Sequence, residues 1–500
     1  MKRKSQLVLI AIGATLFTLV FYKQGLGLNL LIFEAVALVY LISKRQLLSH
    51  TMLGLSLIGV LATLLNTILT HSVFSYVVHL LAFLLFIGSL NYPQAKSLIT
   101  SGVQAIISLF DAQWRSLKGV SDLVFKEENP IRIIWRLRMF FVPVIILILF
   151  VAIYRASNPV FDGMVNDILI FLETRFAMIF NRLDLPLLFT FLLGVIVCNF
   201  IIIRSGSEKI NKKDFMATDD LKRRRKKHRI RFGTLALKRE YQAGLFLLIA
   251  LNILILVLNA IDVYWVWFNF EWEGQYLKQF VHEGTYLLIL SILISIALVL
   301  YFFRGNINFL NNNSALRNLS YLWLAQNAVL TLSVAIRNFW YIHHFSLAYK
   351  RIGVIIFLLL TLYGLYTVMI KVRDVKTSYY LFRSNAFAIY MVLILSSLLN
   401  WDNVIARYNF SHADRSFLHL DYLSTLSDKT LPYLDHSLQE LMALDEIQKE
   451  KFPFEDKFMT VQEYHDIINK RKEHFLTTWE KESVLSWNIP EYLAYRRLIE

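Results

Sequence analysis

Residues 352–370 read IGVIIFLLLTLYGLYTVMI, an uncharged stretch that begins directly after Lys350 and Arg351 and ends at Lys371. An α-helix needs about 20 apolar residues to cross a hydrocarbon core of about 30 Å. Cations beside such a stretch are typical of helix ends at the level of the lipid headgroups. The stretch therefore predicts a membrane-spanning helix.

Ten further stretches of this kind lie in the first 400 residues. A soluble chain with 56% hydrophobic residues and a mean hydropathy of +0.49 would expose more apolar surface than its core could hide. We predict an all-α protein, a polytopic bundle of about eleven transmembrane helices in residues 1–400 with a helical extramembrane tail in residues 401–500. The predicted spans are 7–22, 28–43, 52–69, 73–90, 137–154, 185–203, 241–261, 284–303, 319–336, 352–370 and 381–400.

The Lys and Arg residues between the spans are distributed unevenly. Of the 40 in residues 1–400, 32 lie in or beside alternate connectors, which include the amino end and a basic loop at 204–240. Cations are retained in the cytosol during insertion, so we predict a bacterial cytoplasmic membrane protein with a cytoplasmic amino terminus. The tail, with 12 Lys and Arg against 18 Asp and Glu, is predicted to be extracytoplasmic.

Two weaker apolar segments are predicted not to cross the membrane. Residues 164–180 contain Asp167, Glu173 and Arg175, each of which would cost about 2.5–3.5 kcal/mol at the bilayer centre, so a surface helix is favoured. A crossing there would change the span count. Residues 98–110 are too short to span and are interpreted as part of an amphipathic segment on the cytoplasmic side.

The most basic run of the chain is KRRRKKHRIR at 222–231. We interpret it as a topology anchor that contacts anionic lipid headgroups, and the alternative is docking of an acidic cytosolic protein. Nucleic acid is disfavoured as a partner because no aromatic residues are interleaved for base stacking. The cations concerned are Lys222, Arg223, Arg224, Arg225, Lys226, Lys227, Arg229 and Arg231.

Glu34 and His79 are the acid and the histidine that we place in the middle of spans. Ionisable groups in a bilayer are costly and usually face a cavity or a partner, so this pair is the candidate intramembrane polar site. A role in a proton relay is one interpretation. The favoured one is structural, with Glu34 protonated or tied to a neighbouring helix through Asn66, His79 or a hydroxyl group.

Signatures of enzymes and of cofactors are not found in the sequence. The histidines form no pairs at i and i+4 that would hold a catalytic metal, and the single cysteine, Cys198, excludes an intramolecular disulfide. We predict no catalytic residue, no metal and no cofactor. An aromatic-rich outer loop near Glu271 and Glu273 is a place for a headgroup or sugar, although an interfacial aromatic belt also explains it.

Two regions carry a family resemblance: RNFWYIHHFSLAYKRIGV at 337–354, and RSNAFAIYMVLILSSLLNWDNVIARYN at 383–409 followed by LDYLSTLSD at 420–428. They resemble uncharacterised bacterial membrane proteins grouped as domain of unknown function 4173, to which the 4153 group is related. The resemblance implies a polytopic helical protein and no known activity. Where that group tends to have Tyr-Gly-Leu, this chain has Phe345-Ser346-Leu347.

The connector before residue 352 is cationic although it is predicted to lie outside the cytosol. We predict that tail acids dock on it, and the alternative is an anionic solute or headgroup bound by its cations. This candidate outer site comprises Arg337, His343, His344, Lys350, Arg351, Asp402 and Arg407, with Asp414, Asp421 and Asp428 as further acids.

The tail itself has apolar residues at helical spacing, which predicts a few amphipathic helices. The favoured function is a non-enzymatic accessory, sensory or regulatory membrane component with a possible protein partner at the outer tail. The alternative is a carrier or channel for a small solute or ion. A membrane enzyme that acts on a lipid-linked substrate is a third hypothesis.

Overall fold

The computed structural model of the chain describes residues 3–43, 50–124, 143, 146–147, 149–180, 184–223, 233–268, 274–310, 312–453 and 458–500. The protein is 83% helical. No strand occurs among these residues, and the one β-bridge joins Asp220 to Lys376. The prediction of an all-α protein is confirmed.

The helices are named here in chain order. The long ones are α1 Arg3–Phe21, α2 Leu28–Ser43, α3 Thr51–Thr70, α4 Val73–Asn91, α5 Leu98–Val124, α6 Pro159–Phe180, α7 Leu185–Ile202, α8 Glu208–Met216, α9 Gly233–Asp262, α10 Gly274–Phe302, α11 Ser314–Phe345, α12 Tyr349–Arg373 and α13 Ser378–Ser397. The tail contains α14 Trp401–Ser411, α15 Leu420–Leu423, α16 Leu431–Leu434, α17 Leu438–Lys451, α18 Val461–Trp479 and α19 Ile489–Ile499. A π-helix, Val263–Phe268, extends α9, and short 3₁₀ turns lie at Asn306–Phe309, Asp428–Thr430 and Val484–Ser486.

Eight helices within the described ranges are long and apolar enough to cross a membrane, rather than the eleven predicted. They are α1, α3, α4, α7, α9, α11, α12 and α13. Two other predicted spans correspond to the shorter apolar segments Leu28–Leu41 and Tyr286–Phe302. The first half of the predicted span 137–154 falls largely outside the described residues. The two numbers differ because the sequence prediction accepted apolar runs shorter than full spanning length and one run that lies partly outside the described residues.

The two weaker segments also form helices. Pro159–Phe180 is continuous and is not one of the eight long apolar helices, because charges interrupt its apolar run. Its location at the membrane surface stays a prediction. The segment predicted at 98–110 extends to Val124 as the 27-residue, strongly amphipathic α5.

The first group of helices packs around a core formed by α1–α5, α7 and α13. Phe86, Leu53 and Ala105 are completely or almost completely buried in it. Gly88 is required where α5 crosses α4, because a Cβ there would overlap the backbone of Ser101. The close approach places Ser89 Oγ 2.9 Å from Ser101 Oγ and fixes α5 against the bundle.

The second group consists of α9–α12 around Leu248, Phe303 and Leu330. Its helices α9 and α11 are joined by a regular amide ladder: Asn252 Nδ2 donates to Leu319 O at 3.1 Å, and Asn259 Nδ2 donates to Gln326 O at 3.0 Å. Each bond joins residues 67 positions apart, so the two helices run parallel in a heptad register. Such side-chain amides are a common means of joining helices within a bilayer.

The connectors between helices meet in two separate groups. At one end, Asp214 after α7 accepts from the backbone N of Lys96 at 2.9 Å and from Tyr379 Oη at 2.8 Å, while Arg383 pairs with Asp219 at 2.6 Å. These are connectors that the charge pattern assigns to the cytosol. At the other end, connectors 22–28, 71–72 and 346–348 contact the tail.

Candidate functional site

The tail packs on the spanning helices through a shared hydrophobic core. Ile405 and Leu434 of the tail and Ile352 of α12 are buried in one cluster, with Leu347 and Ile356 packed against it. The burial of several large aliphatic side chains provides a large favourable free energy for this attachment. The carboxyl-terminal region is therefore a module that is fixed on its own helix bundle.

Lys429 is the central polar contact of this interface and is only 4% exposed. Its Nζ donates to Thr70 O at 2.8 Å and to His71 O at 2.9 Å, and lies 3.6 Å from Asp402 Oδ2. The last carbonyls of a helix have no partner within the helix and carry partial negative charge. Lys429 thus caps the carboxyl end of α3. Burial lowers the pKa of Lys429, while the charges of Asp402 and Glu491 oppose that shift.

Asp402 completes the cap from the first turn of α14. It accepts hydrogen bonds from Tyr349 Oη at 2.6 Å and from Ser427 Oγ at 2.5 Å, in addition to the ion pair with Lys429. A buried carboxylate with several partners is much less costly than one left alone. The three contacts join the start of α12, the start of α14 and the 3₁₀ turn of the tail.

A second ionic contact lies beside the first. His71, which has φ of 42° at the end of α3, places Nε2 3.3 Å from Glu491 Oε1 on α19. Glu491 also accepts from Asn488 Nδ2 at 2.6 Å. Burial by itself raises the pKa of Glu491, but the hydrogen bonds from His71 and Asn488 and the charge of Lys429 outweigh it and lower that pKa.

These contacts place one acid of the predicted docking site, Asp402, against Tyr349 of the connector. Arg337 is 5% exposed and pairs with Asp262 of α9 at 2.5 Å. Arg351 donates to the carbonyls of Phe345 and Ser346 within its own connector. Buried guanidinium groups need acceptors, which are carbonyl groups of the same connector for Arg351 and a carboxylate on another helix for Arg337.

The other members of the predicted site have separate surroundings. His343 and His344 lie among aromatic rings of α11, and their ring centroids are 5.1 Å apart. Lys350 is exposed. Arg407 lies 5.4 Å from the ring centroid of Tyr433. Of the further acids, Asp428 pairs with Arg471 at 2.5 Å, Asp414 neighbours Arg415, and Asp421 lines a small pocket within the tail.

Besides the bond from Tyr349 to Asp402, the connector contacts the tail through hydrogen bonds between neutral groups. Ser346 Oγ is 2.8 Å from Ser416 Oγ, Leu347 N donates to Asn409 Oδ1 at 2.7 Å, and Phe417 N donates to His344 O at 2.7 Å. Ser346 has φ of 67°, a left-handed conformation that glycine adopts more easily. Serine thus adopts here a backbone conformation that would be less strained for glycine.

The structure brings together the two residues of the predicted intramembrane site. His79 Nε2 lies 2.8 Å from Glu34 Oε1, and His79 Nδ1 lies 3.0 Å from Thr63 Oγ1. Thr63 Oγ1 also donates to Gly59 O at 2.8 Å, which leaves it to accept from Nδ1–H. In that arrangement a single proton is shared between Nε2 and Oε1. The pair is then either an imidazolium with a carboxylate or a neutral imidazole with a carboxylic acid.

Two predicted features lie wholly or largely outside the described residues. Within the basic run, Lys222 and Arg223 are exposed, and Arg224 to Arg231 lie outside the described residues. Glu271 and Glu273 also lie outside them. In the described part of the chain, no cluster of three His, Cys, Asp or Glu side chains has the arrangement of a metal site.

Sequence reasoning missed Lys429 and Glu491, and it placed Asp262 beside the aromatic-rich outer loop without its partner Arg337. Lys429 and Glu491 lie in polar segments where a charge is normally exposed, so no local signal distinguished them. Asp262 had a signal: it follows directly after the apolar run 241–261, at the depth where a charge needs a partner. Arg337 holds the equivalent place after the parallel run 319–336.

Comparison with known proteins gives one family. The family model described as Domain of unknown function (DUF4153) matches residues 7–437. The resemblance to the 4173 group was therefore to a related family, and this is a correction. No curated protein and no solved structure matches the chain.

Proposed function

The chain belongs to the family of domain of unknown function 4153, for which no activity is indicated, and we propose that it is a non-enzymatic sensory or regulatory component of the bacterial cytoplasmic membrane. The observation that carries the proposal is that Lys429 of the tail caps α3, the same helix whose Thr63 contacts His79. The tail is the part that meets a signal or partner, and α3 is the element that connects it to the membrane interior.

The proposed topology has the amino terminus in the cytosol and the tail outside. It is supported by the grouping of connectors, since those rich in cations meet at one end of the bundle and the tail lies at the other. Asp184 at the start of α7 is beside Tyr22 at the end of α1, whereas α5 lies at the opposite end. We therefore propose one crossing between residues 124 and 184, which with the two short apolar helices gives eleven proposed spans.

The link through α3 consists of successive contacts. Thr70 Oγ1 donates to Asn66 O at 2.7 Å, and Asn66 Nδ2 donates to Ser397 Oγ of α13 at 2.8 Å. Thr63 lies seven residues before Thr70, about 10 Å along the helix at 1.5 Å per residue. Loss of the Lys429 contact releases the end of a helix that positions the Glu34–His79 pair, so tail attachment and the state of this pair are coupled.

A protein partner of the tail remains part of the proposal. The large apolar side chains of the tail that face solvent are the residues that such a partner is proposed to contact. They are Met442, Phe458, Val484, Leu493 and Ile499. On the opposite end, the run from Lys222 to Arg231 is proposed to contact anionic lipid headgroups.

The test measures the intramembrane pair while the tail is changed. Infrared spectroscopy of the purified protein detects a protonated carboxyl group, and Glu34→Gln identifies the band that belongs to Glu34. We expect Lys429→Met to alter the intensity or position of that band. The matched control is Lys449→Met, since Lys449 is an exposed tail lysine that pairs with Asp445 within one helix.

The two measurements distinguish coupling between the tail and the Glu34–His79 pair from attachment of the tail alone. If limited proteolysis shows the tail released in Lys429→Met and the Glu34 band is unchanged, the tail and the pair are independent and the regulatory proposal fails. If both change in Lys429→Met and neither changes in Lys449→Met, the proposal is supported.

A carrier or channel is the second candidate, and the buried Glu34–His79 pair is the observation in its favour. A proton shared by two groups within the bilayer is typical of relays in transporters. Reconstituted protein that moves protons across liposomes above the level of empty liposomes, and loses that flux in Glu34→Gln, would support this function instead. A wild-type flux equal to that of empty liposomes would argue against it.

A further inference from the structure

A cavity of about 710 Å³ opens at the end of the bundle where the cation-rich connectors meet. It lies between the beginning of α1, the end of α2, the amphipathic α5 and the end of α7. This end is cytoplasmic in the proposed orientation, and binding there is independent of a regulatory role of the tail.

The cavity has an apolar floor and a charged rim. Leu7, Ile10, Leu41 and Ile202 from three apolar helices form part of the floor. The charged residues that line it are Asp111, Arg115, Lys118 and Arg204. Arg115 Nε is 2.8 Å from Asp111 Oδ2, so one cation is neutralised and the lining retains an excess of two positive charges.

From this arrangement we infer that the cavity binds the phosphate headgroup and the first part of the acyl chains of an anionic phospholipid. The rim supplies cations for a phosphodiester, and the floor supplies aliphatic contacts for the glycerol and chains. Trp114, whose side chain also lines the cavity, is 46% exposed, as expected for an indole at headgroup level.

The charge of the cavity lining and its position at the helix ends together favour an anionic phospholipid. Basic pockets between membrane helices on the cytoplasmic side are suited to anionic headgroups, because the local surface potential concentrates them there. A free anion would use the rim and leave the aliphatic floor exposed to water. A neutral lipid would cover the floor but would offer no net negative charge to the cations of the rim. The site is distinct from the basic run at 222–231, since its cations come from α5 and from the end of α7.

Trp114 allows a direct binding test. The full-length protein is reconstituted in nanodiscs that contain brominated phosphatidylglycerol or brominated phosphatidylcholine at equal mole fraction, and bromine quenches only the tryptophans that it contacts. The Trp114→Phe variant identifies the part of the quenching that comes from this site. We expect that part to be larger with phosphatidylglycerol than with phosphatidylcholine.

A double variant then removes the cations. In Lys118→Gln with Arg204→Gln, we expect the preference for phosphatidylglycerol to fall about tenfold or more, because each cation near an anionic headgroup contributes about 1 kcal/mol. The matched control is Lys212→Gln with Lys213→Gln on α8, which removes two exposed cations at the same end and outside the cavity. The control is expected to retain the preference.

Three results would overturn the inference. One is equal quenching of Trp114 by the two lipids. Another is the same loss of preference in the α8 control, which would mean that net charge alone attracts the lipid. The third is complete displacement of brominated phosphatidylglycerol by inorganic phosphate, which would identify a free-anion site. Retention of the lipid in excess phosphate supports the proposed ligand.

Discussion

The ammonium group of Lys429 lies 2.8 Å from the carbonyl oxygen of Thr70, although the two residues are 359 positions apart. This contact joins the extramembrane tail to the last turn of a spanning helix. A buried charge at a helix end is stable only where the helix dipole and a counter-charge compensate for the lost hydration. Asp402 supplies the counter-charge, and the carbonyl groups of Thr70 and His71 supply the hydrogen bonds.

Lys429→Met is predicted to weaken tail attachment. The variant keeps the volume of the side chain but leaves the carbonyls of α3 uncapped and Asp402 without its cation, a change that costs about 3 kcal/mol for a buried pair. Thermal unfolding in detergent and the rate of tail proteolysis measure the loss. Lys449→Met, at an exposed pair, is expected to change stability by about 0.5 kcal/mol or less.

Acid is predicted to loosen the same interface. The pKa of Glu491 is lowered from 4.5 in the folded protein. The ionised carboxylate therefore contributes its full stabilisation above pH 4.5, and this stabilisation is lost as the pH falls through the lowered pKa of Glu491. Wild-type tail should therefore become protease-sensitive at a pH below about 4.5.

Glu491→Gln provides the comparison for this acid effect. The variant is expected to be less stable than wild type at neutral pH and to lose less stability on acidification, because Gln does not titrate. Equal pH curves for the two proteins would show that other carboxyl groups control the acid response.

Breaking the Arg337–Asp262 pair is predicted to destabilise the second group of helices. Arg337→Gln leaves Asp262 as a buried charge without its cation, which costs about 3–5 kcal/mol. Arg337→Gln combined with Asp262→Asn is expected to cost less than Arg337→Gln alone. The control is Arg304→Gln at the partly exposed pair with Glu240, where we expect about 0–1 kcal/mol. Similar losses at the two arginines would contradict the role assigned to burial.

The Glu34–His79 pair is predicted to tolerate a neutral replacement better than a truncation. Glu34→Gln keeps a hydrogen-bonding group of the same size beside Nε2, whereas Glu34→Ala leaves a cavity and an unpartnered imidazole nitrogen. The loss of unfolding free energy, measured by thermal unfolding, should therefore be about 1–3 kcal/mol larger for Glu34→Ala than for Glu34→Gln. A Gln variant as unstable as the Ala variant would mean that the ionic form of the pair is required.

Much of the architecture could be predicted because it depends on local composition. The run at 352–370 lies within α12 and the run at 52–69 within α3, since a long apolar segment has few alternatives to a spanning helix. The count of spans was less predictable, because Leu28–Leu41 is apolar but shorter than full spanning length. Whether such a short segment crosses the membrane depends on the helices packed against it, which a hydropathy profile does not include.

The candidate sites were predicted only in part for a similar reason. Glu34 and His79 stood out because charge is rare within apolar runs, and the structure joins them. The tail interface depends on contacts between distant segments, so no local pattern indicated Lys429. The partner of Arg337 is likewise on another helix, whereas Arg351 bonds within its own connector. Charge complementarity between segments predicts attraction but not which residues meet.

Cysteine accessibility in intact cells tests most directly the claim that the tail is an outer module held on its own spans. The single native cysteine, Cys198, is buried, so labelling reports on introduced cysteines. We predict that a membrane-impermeant maleimide labels Lys449→Cys and Lys350→Cys in intact cells, and labels Lys212→Cys only after the membrane is permeabilised. Labelling of Lys212→Cys in intact cells, with protection of Lys449→Cys, would contradict the proposed orientation.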